Sequence, residues 1–370
     1  MGTLRKAILA DLVHYALPKK EAEDRMRELE ELTRTYGGVA VVKTIQRRAK
    51  PDYRTFIGKG KVDEVAAQGK ALGADLLLVN EILKPQQLYN LEELLRPAKI
   101  QVWDRIDLIL HIFDKHAKTA EAKLEIELAS IRHMGPRIFN MSAELGRQRG
   151  GTGTRGGTGE TNTEAMKRHL REREQHILQK LERYQGTRNL HQEHRRRHHK
   201  KTVALVGYTN AGKTSLLNTL GKRREFAANK LFATLDTRVA DVYIPELGET
   251  VLLSDTIGFI QGLPPSLIRA FRSTLSEAAT ADLLLHVIDV SDPKFGEKIA
   301  VVEGVLDAMG IADHPRMYVF NKIDAVRDPE RLRRELGDCG VIVSAERAVG
   351  VAELKSAIAR TFSTTARVSP

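Results

Sequence analysis

The chain has 370 residues, 42% of them apolar, which suffices for two or three domains with buried cores and excludes a disordered tail protein. Lys and Arg number 59 against 48 Asp and Glu, a formal charge of +11 that points to polyanionic partners, with nucleic acid foremost. The single cysteine, Cys339, excludes an internal disulfide framework or a cysteine-rich zinc module; without a secretory apolar core or a membrane-spanning apolar run, a soluble cytoplasmic protein in a reducing compartment is expected.

Short apolar runs alternate with amphipathic stretches over residues 39–113: Val39 to Ile45, Lys61 to Leu72, Leu76 to Val79, Pro85 to Leu95, Ile100 to Trp103 and Ile106 to Phe113. Such strand and helix repetition predicts a small parallel α/β domain over 1–115. Ile57-Gly58-Lys59-Gly60-Lys61 lacks the spacing and hydroxyl of a phosphate loop and reads as a basic surface turn that also suits contact with RNA. Residues 116–200 form a second region. Leu124, Leu128 and Ile131 recur at helical spacing, and Met166, Leu170, Ile177, Leu181 and Tyr184 approximate a heptad seam. Between these stretches a Gly-rich run from Gly146 to Gly159 carries Arg147, Arg149 and Arg155 and cannot hold a helix. Two antiparallel helices joined at a basic loop are predicted. Residues 167–201 hold 12 Lys and Arg against 4 Glu, eight of the eleven surplus charges, and six of the twelve histidines. No carboxylate or cysteine constellation accompanies His191, His194, His198 and His199, so they read as basic linker. From 201 to 370 apolar strands alternate with longer helical segments, predicting a second α/β domain with a doubly wound, mostly parallel sheet.

That region opens with the apolar strand Thr202 to Val206, which runs into Gly207-Tyr208-Thr209-Asn210-Ala211-Gly212-Lys213-Thr214 and a helix-forming segment. Strand, loop and helix are the context a P-loop requires: glycines turn backbone N–H groups inward around phosphates, and the helix N-terminus adds its dipole. Lys213 is placed at the β- and γ-phosphates, and the Thr214 hydroxyl at Mg²⁺. Guanine rather than adenine is selected by Asn321-Lys322-Ile323-Asp324 after the strand Met317 to Phe320. The Asp324 carboxylate can accept from N1–H and the exocyclic amine, a donor pair adenine lacks. Ser344-Ala345, following Val341 to Val343, is expected with its backbone at guanine O6.

Ser254-Asp255-Thr256-Ile257-Gly258 ends another apolar strand. Asp255 can hold a Mg²⁺-bound water and the Gly258 N–H can reach the γ-phosphate. In Phe232-Ala233-Thr234-Leu235-Asp236-Thr237, Thr234 is the candidate to close onto Mg²⁺ and γ-phosphate, with Thr237 a nearby rival. Lys213, Thr234 and Gly258 thus form the expected catalytic group, with Thr214 and Thr234 as metal ligands. Phe259 stands where many GTPases carry a water-orienting glutamine, which an apolar ring cannot replace. Slow unassisted turnover is expected.

Taken together, Gly207 to Thr214, Leu231 to Asp236, Asp255-Thr256-Ile257-Gly258-Phe259-Ile260 and Asn321 to Asp324 resemble the HflX family of ribosome-associated GTPases. Tyr53 to Val62, Arg132-His133-Met134-Gly135-Pro136-Arg137 and the Gly-rich stretch through Gly159-Glu160-Thr161 are similar to its N-terminal signatures. The resemblance implies a P-loop GTPase domain preceded by a small α/β domain and a helical arm. It further implies GTP and GDP with Mg²⁺, and a cytoplasmic monomer that binds the large (50S) ribosomal subunit and its rRNA. Slow hydrolysis stimulated by ribosomes, and separation of stalled or idle ribosomes into subunits, belong to the same expectation, as does ATP hydrolysis through the N-terminal region in some members. Two departures stand out. The chain reads Arg155-Gly156-Gly157-Thr158-Gly159-Glu160 where the family has Arg-Gly-Pro-Gly-Glu, and few residues follow the last predicted helix where many members carry a further domain. Charge alone leaves a second class open, a GTPase whose basic module binds another RNA or sits peripherally on an anionic membrane. A third, an ATP-driven RNA-remodelling enzyme, is opposed by Asp324.

Overall fold

The computed structural model describes residues 4–148, 162–197, 200–221, 238–256, 258–260, 267 and 277–365. It divides into two compact units, Met1–Lys115 with Lys123–Leu181, and His116–Ala122 with Glu182–Pro370.

The first unit is built on a four-stranded, wholly parallel sheet in the order β2-β1-β3-β4, from β1 (Arg5–Val13), β2 (Gly38–Arg47), β3 (Leu76–Val79) and β4 (Gln101–Trp103). Helices α1 (Lys19–Tyr36), α2 (Lys59–Leu72), α3 (Pro85–Leu95) and α4 (Arg105–His116) connect and follow the strands. The α/β repetition read from residue 39 onward is thus present, and an additional strand and helix precede it. β1 is an inner strand, its Ala7, Ile8, Leu9 and Ala10 fully buried, yet Asp11 interrupts its apolar run. That buried carboxylate is matched by a bidentate Arg25 at 3.0 and 3.1 Å and by Asn80 Nδ2 at 2.9 Å. Arg105 continues the network, donating to Asn80 Oδ1 and to Glu28. Each buried charge has a partner, which is what permits charge inside a sheet of this size. Gly69 on α2 lets helix and sheet approach: a Cβ there would stand 2.4 Å from Ile100 Cδ1.

Two long helices follow, α5 (Ala120–Gln148) and α6 (Asn162–Arg197). Both exceed the periodic stretches read from sequence. α5 buries Ile126, Leu128 and Ala129, a wider stripe than the Leu124, Leu128 and Ile131 pattern, whereas on α6 Ile177 is the buried member of the seam and Met166 and Tyr184 are exposed. Charge adds to this contact: Arg132 meets Glu174 at 2.7 Å and Arg173 meets Glu127 at 2.6 Å. The Gly-rich run predicted as non-helical over Gly146 to Gly159 begins inside α5, which continues through Gly146, Arg147 and Gln148; residues 149–161 lie outside the described residues.

The C-terminal region carries a six-stranded sheet in the order β10-β9-β8-β5-β7-β6, from β5 (Thr202–Gly207), β6 (Arg238–Ile244), β7 (Glu249–Asp255), β8 (Leu283–Asp289), β9 (Arg316–Asn321) and β10 (Val341–Ile342). All neighbours are parallel except β6 and β7, an antiparallel pair at one edge. Among the described residues of this region stand helices α7 (Lys213–Gly221), α8 (Phe295–Ala308), α9 (Pro329–Leu336) and α10 (Val351–Thr365). Val203, Leu205, Leu216, Leu253, Leu285 and Ile358 lie in one apolar core that fixes β5, α7 and α10 around the sheet. The chain reverses direction across the sheet on either side of β5, so β5 ends at the crevice where open α/β sheets bind ligands.

Candidate functional site

The loop after β5 is shaped by three backbone conformations. Gly207 (φ +152°), Asn210 (φ +63°) and Gly212 (φ +92°) turn it tightly into α7. Side chains are excluded at two of these points, because a Cβ on Gly207 would stand 2.3 Å from the Val287 carbonyl and one on Gly212 would stand 2.2 Å from Asn321 Nδ2. Lys213 folds back over the loop, donating to the carbonyls of Gly207 (3.1 Å) and Tyr208 (3.0 Å). Burial pushes its pKa down to about 8; Asp255 opposes the shift and Lys322 adds to it. Thr209 Oγ1 is buried without a hydrogen-bond partner among the described residues, a polar atom facing no protein acceptor.

The Thr214 hydroxyl donates to Asp255 Oδ2 at 2.7 Å, bringing the start of α7 and the end of β7 together. One hydroxyl and one carboxylate form a hard oxygen donor pair beside a phosphate loop, which fits Mg²⁺, an ion that takes one or two protein oxygens and completes its shell with water and phosphate. Thr256 caps this strand by donating to the Leu205 carbonyl at 2.6 Å. Gly258 lies against the loop, since a Cβ there would meet Thr209 Cα at 2.8 Å and Lys213 Nζ at 2.9 Å. Phe259 is buried, and its backbone is stitched to the loop: its N–H donates to Gly207 and its carbonyl accepts from Thr209 at 2.7 Å. Phe232, Ala233, Thr234, Leu235, Asp236, Thr237 and Ile257 lie outside the described residues.

On the other side of the loop, buried Asn321 holds two elements at once. Its Nδ2 donates to the Ala211 carbonyl (2.9 Å) and its Oδ1 accepts from the Ala345 N–H (3.0 Å). Thr219 of α7 donates to the Ala345 carbonyl at 2.7 Å, so both backbone groups of Ala345 are fixed from the phosphate-loop side. Ser344 is fully buried, its N–H and carbonyl paired with Val349 and its hydroxyl accepting from Arg347 N–H. This turn closes through Ala348 (φ +55°) and Gly350 (φ +74°), where a Cβ would stand 2.1 Å from the Ile342 carbonyl. Lys322 (φ +65°) opens a 3₁₀ turn over Ile323–Ala325, and Asp324 stands 3.9 Å from Arg347 Nε. Phosphate loop, Asp255, Asn321 to Asp324 and Ser344-Ala345 are therefore assembled at one edge of the sheet. Thr219 and Gly350 were not singled out by sequence reasoning. Gly350 carried a signal, as a turn glycine just before a helix, while Thr219 is one of several polar residues on α7.

Three family models match in succession: GTP-binding GTPase N-terminal over residues 23–114, GTP-binding GTPase Middle Region over 116–195, and 50S ribosome-binding GTPase over 202–322. The chain is 41% identical over 341 residues to GTPase HflX of Caldanaerobacter subterraneus, covering 92% of this chain and 77% of the relative. It is also 41% identical to GTPase HflX of Escherichia coli over 358 residues, covering 96% and 83%. A GTP-binding protein from Sulfolobus solfataricus, solved in complex with GDP, superposes with a TM-score of 0.51 at 23% identity over 96% of this chain and 98% of that one, a likeness of fold. With these sequence motifs gathered at one sheet edge and relatives 41% identical along 92% and 96% of this chain, the chain belongs to the HflX family of GTPases.

Proposed function

We propose that the chain is a guanine-nucleotide switch that binds the large ribosomal subunit in its GTP form, separates stalled or idle ribosomes into subunits, and is released by slow, ribosome-stimulated hydrolysis. The observation carrying the nucleotide reading is Asn321, which ties the phosphate loop at Ala211 to the turn at Ala345, so that base and phosphates are recognised by one connected frame. In this reading Lys213 leaves the loop carbonyls for the β- and γ-phosphates, a trade of two neutral acceptors for charged ones. Thr214 and Thr234 would ligate Mg²⁺ and Asp255 would hold one of its waters, and the ion would supply charge neutralisation to the phosphates. Thr234 and the Gly258 N–H close on the γ-phosphate. Asp324 accepts from guanine N1–H and the exocyclic amine, and the Ala345 N–H, which here donates to Asn321 Oδ1, exchanges that acceptor for guanine O6. The buried Phe259 offers no hydrogen bond to water, which supports slow turnover in the absence of ribosomes.

Domains at 1–115, 116–200 and 201–370 divide the labour: an α/β module, a basic arm directed at rRNA, and the GTPase. The excess of 12 Lys and Arg over 4 Glu in residues 167–201 supports the arm as the RNA-binding element, with phosphate contacts rather than base readout. Among the described residues no helix is long and apolar enough to cross a membrane. The test is co-sedimentation of the full chain with ribosomes and isolated large subunits, in a non-hydrolysable GTP analogue and in GDP. Retention in the analogue and release in GDP is the expected result. Equal retention in both removes the switch, and no retention at low salt removes the ribosomal partner.

A further inference from the structure

Beside the base-reading turn, the end of β8 carries a carboxylate with no part in the recognition described above. Asp289, the last residue of β8, sits in register with Asn321 at the end of β9. One of its oxygens is fixed by the N–H (3.0 Å) and hydroxyl (2.5 Å) of Ser291, and the other receives Lys322 Nζ at 2.7 Å. Lys322 in turn lies across the phosphate loop, its Cε 3.9 Å from where a Cβ on Gly212 would stand. Its backbone is left-handed, a conformation a lysine keeps only when its surroundings hold it there. That same residue begins the 3₁₀ turn containing Asp324, so the position of the base-reading carboxylate follows from the conformation of Lys322.

We infer that Asp289 is a positioning residue of the nucleotide site: anchored by Ser291, it clamps Lys322 across the phosphate loop and so holds the turn that presents Asp324 to the base. The inference rests on the guanine-nucleotide reading above. A partly exposed ion pair contributes little to global stability, so a clamp of this kind is felt in ligand affinity. The Asp289 charge also offsets the Lys322 ammonium, which would otherwise stand uncompensated near Lys213.

The experiment uses the full chain and its Asp289→Asn and Asp289→Glu variants, measuring fluorescent GDP and GTP binding, steady-state hydrolysis and the melting temperature. For Asp289→Asn, GDP and GTP affinities both fall about tenfold, as expected for loss of one charge-assisted hydrogen bond. The loss falls on KM rather than kcat, the melting temperature holds, and Asp289→Glu recovers most of the affinity. Unchanged affinity in Asp289→Asn overturns the inference. So does a lowered melting temperature with KM and kcat worsening together and no recovery by glutamate, which marks a merely structural pair. Failure of the wild-type chain to bind guanine nucleotides removes the site itself, and the inference with it.

Discussion

Asp324 is held loosely, 3.9 Å from a mostly exposed Arg347, so in the proposed base-reading role an arriving base would compete with a solvated guanidinium and not with a buried ion pair. Asp324→Asn is therefore expected to fold normally while exchanging one acceptor for a donor. GTP affinity should fall by roughly ten- to a hundredfold for the lost charged hydrogen bond, and xanthosine triphosphate should gain in its place. Competition binding of the two nucleotides decides it; an unchanged preference for GTP would take the base-reading role away from Asp324. At this scale a buried histidine titrates far from its usual range. His286 on β8 is buried, donates through Nδ1 to Glu303 at 3.1 Å and packs against Tyr318, while Arg316 also pairs with Glu303. Burial lowers its pKa to about 4, outweighing the opposing pull of Glu303. A folded-state value below the unfolded one means the stability is present above about pH 6.5 and is lost as pH falls toward 4, amounting to about 2–4 kcal/mol. Urea unfolding near pH 7 and near pH 5 should show that loss in the wild type and a flatter response in His286→Gln; equal slopes in the two proteins would contradict it.

Among the elements, the turn between β10 and α10 depends on a glycine. Gly350→Ala places a Cβ against the Ile342 carbonyl at φ +74°, so a cost of about 1–3 kcal/mol is expected, together with weaker guanine-nucleotide binding as Ala345 shifts. Chemical denaturation and nucleotide titration of the variant measure both, and a variant that keeps wild-type affinity would show that the turn does not carry the base site. The elements also show how far the amino-acid order was legible. The phosphate loop, Asp255 and the Asn321 to Asp324 motif could be read because each follows an uninterrupted apolar strand, a purely local signal. β1 escaped notice because Asp11 breaks its pattern, and what allows that break is Arg25 and Asn80, distant in sequence. The same reason hides Thr219 and Asp289: their hydrogen bonds to Ala345 and Lys322 arise only once β8, β9 and β10 lie side by side. β6 was likewise missed, an antiparallel edge strand alternating buried and exposed residues among apolar parallel ones.

For the whole molecule, charge is the decisive property. If the arm makes roughly six to ten phosphate contacts, affinity for rRNA should fall about 10³- to 10⁵-fold between about 50 and 200 mM salt. Filter binding or sedimentation across that range tests it, and a flat response would point to apolar or protein contacts as the main attachment.

The long helix α6 has one more effect. Its 36 residues extend to about 54 Å at 1.5 Å per residue, and eight of the eleven surplus charges lie within residues 167–201. Charge concentrated along one helix makes a local field that an approaching polyanion would meet before any contact forms. Were rRNA the partner, raising the ionic strength should slow arrival more than it shortens residence.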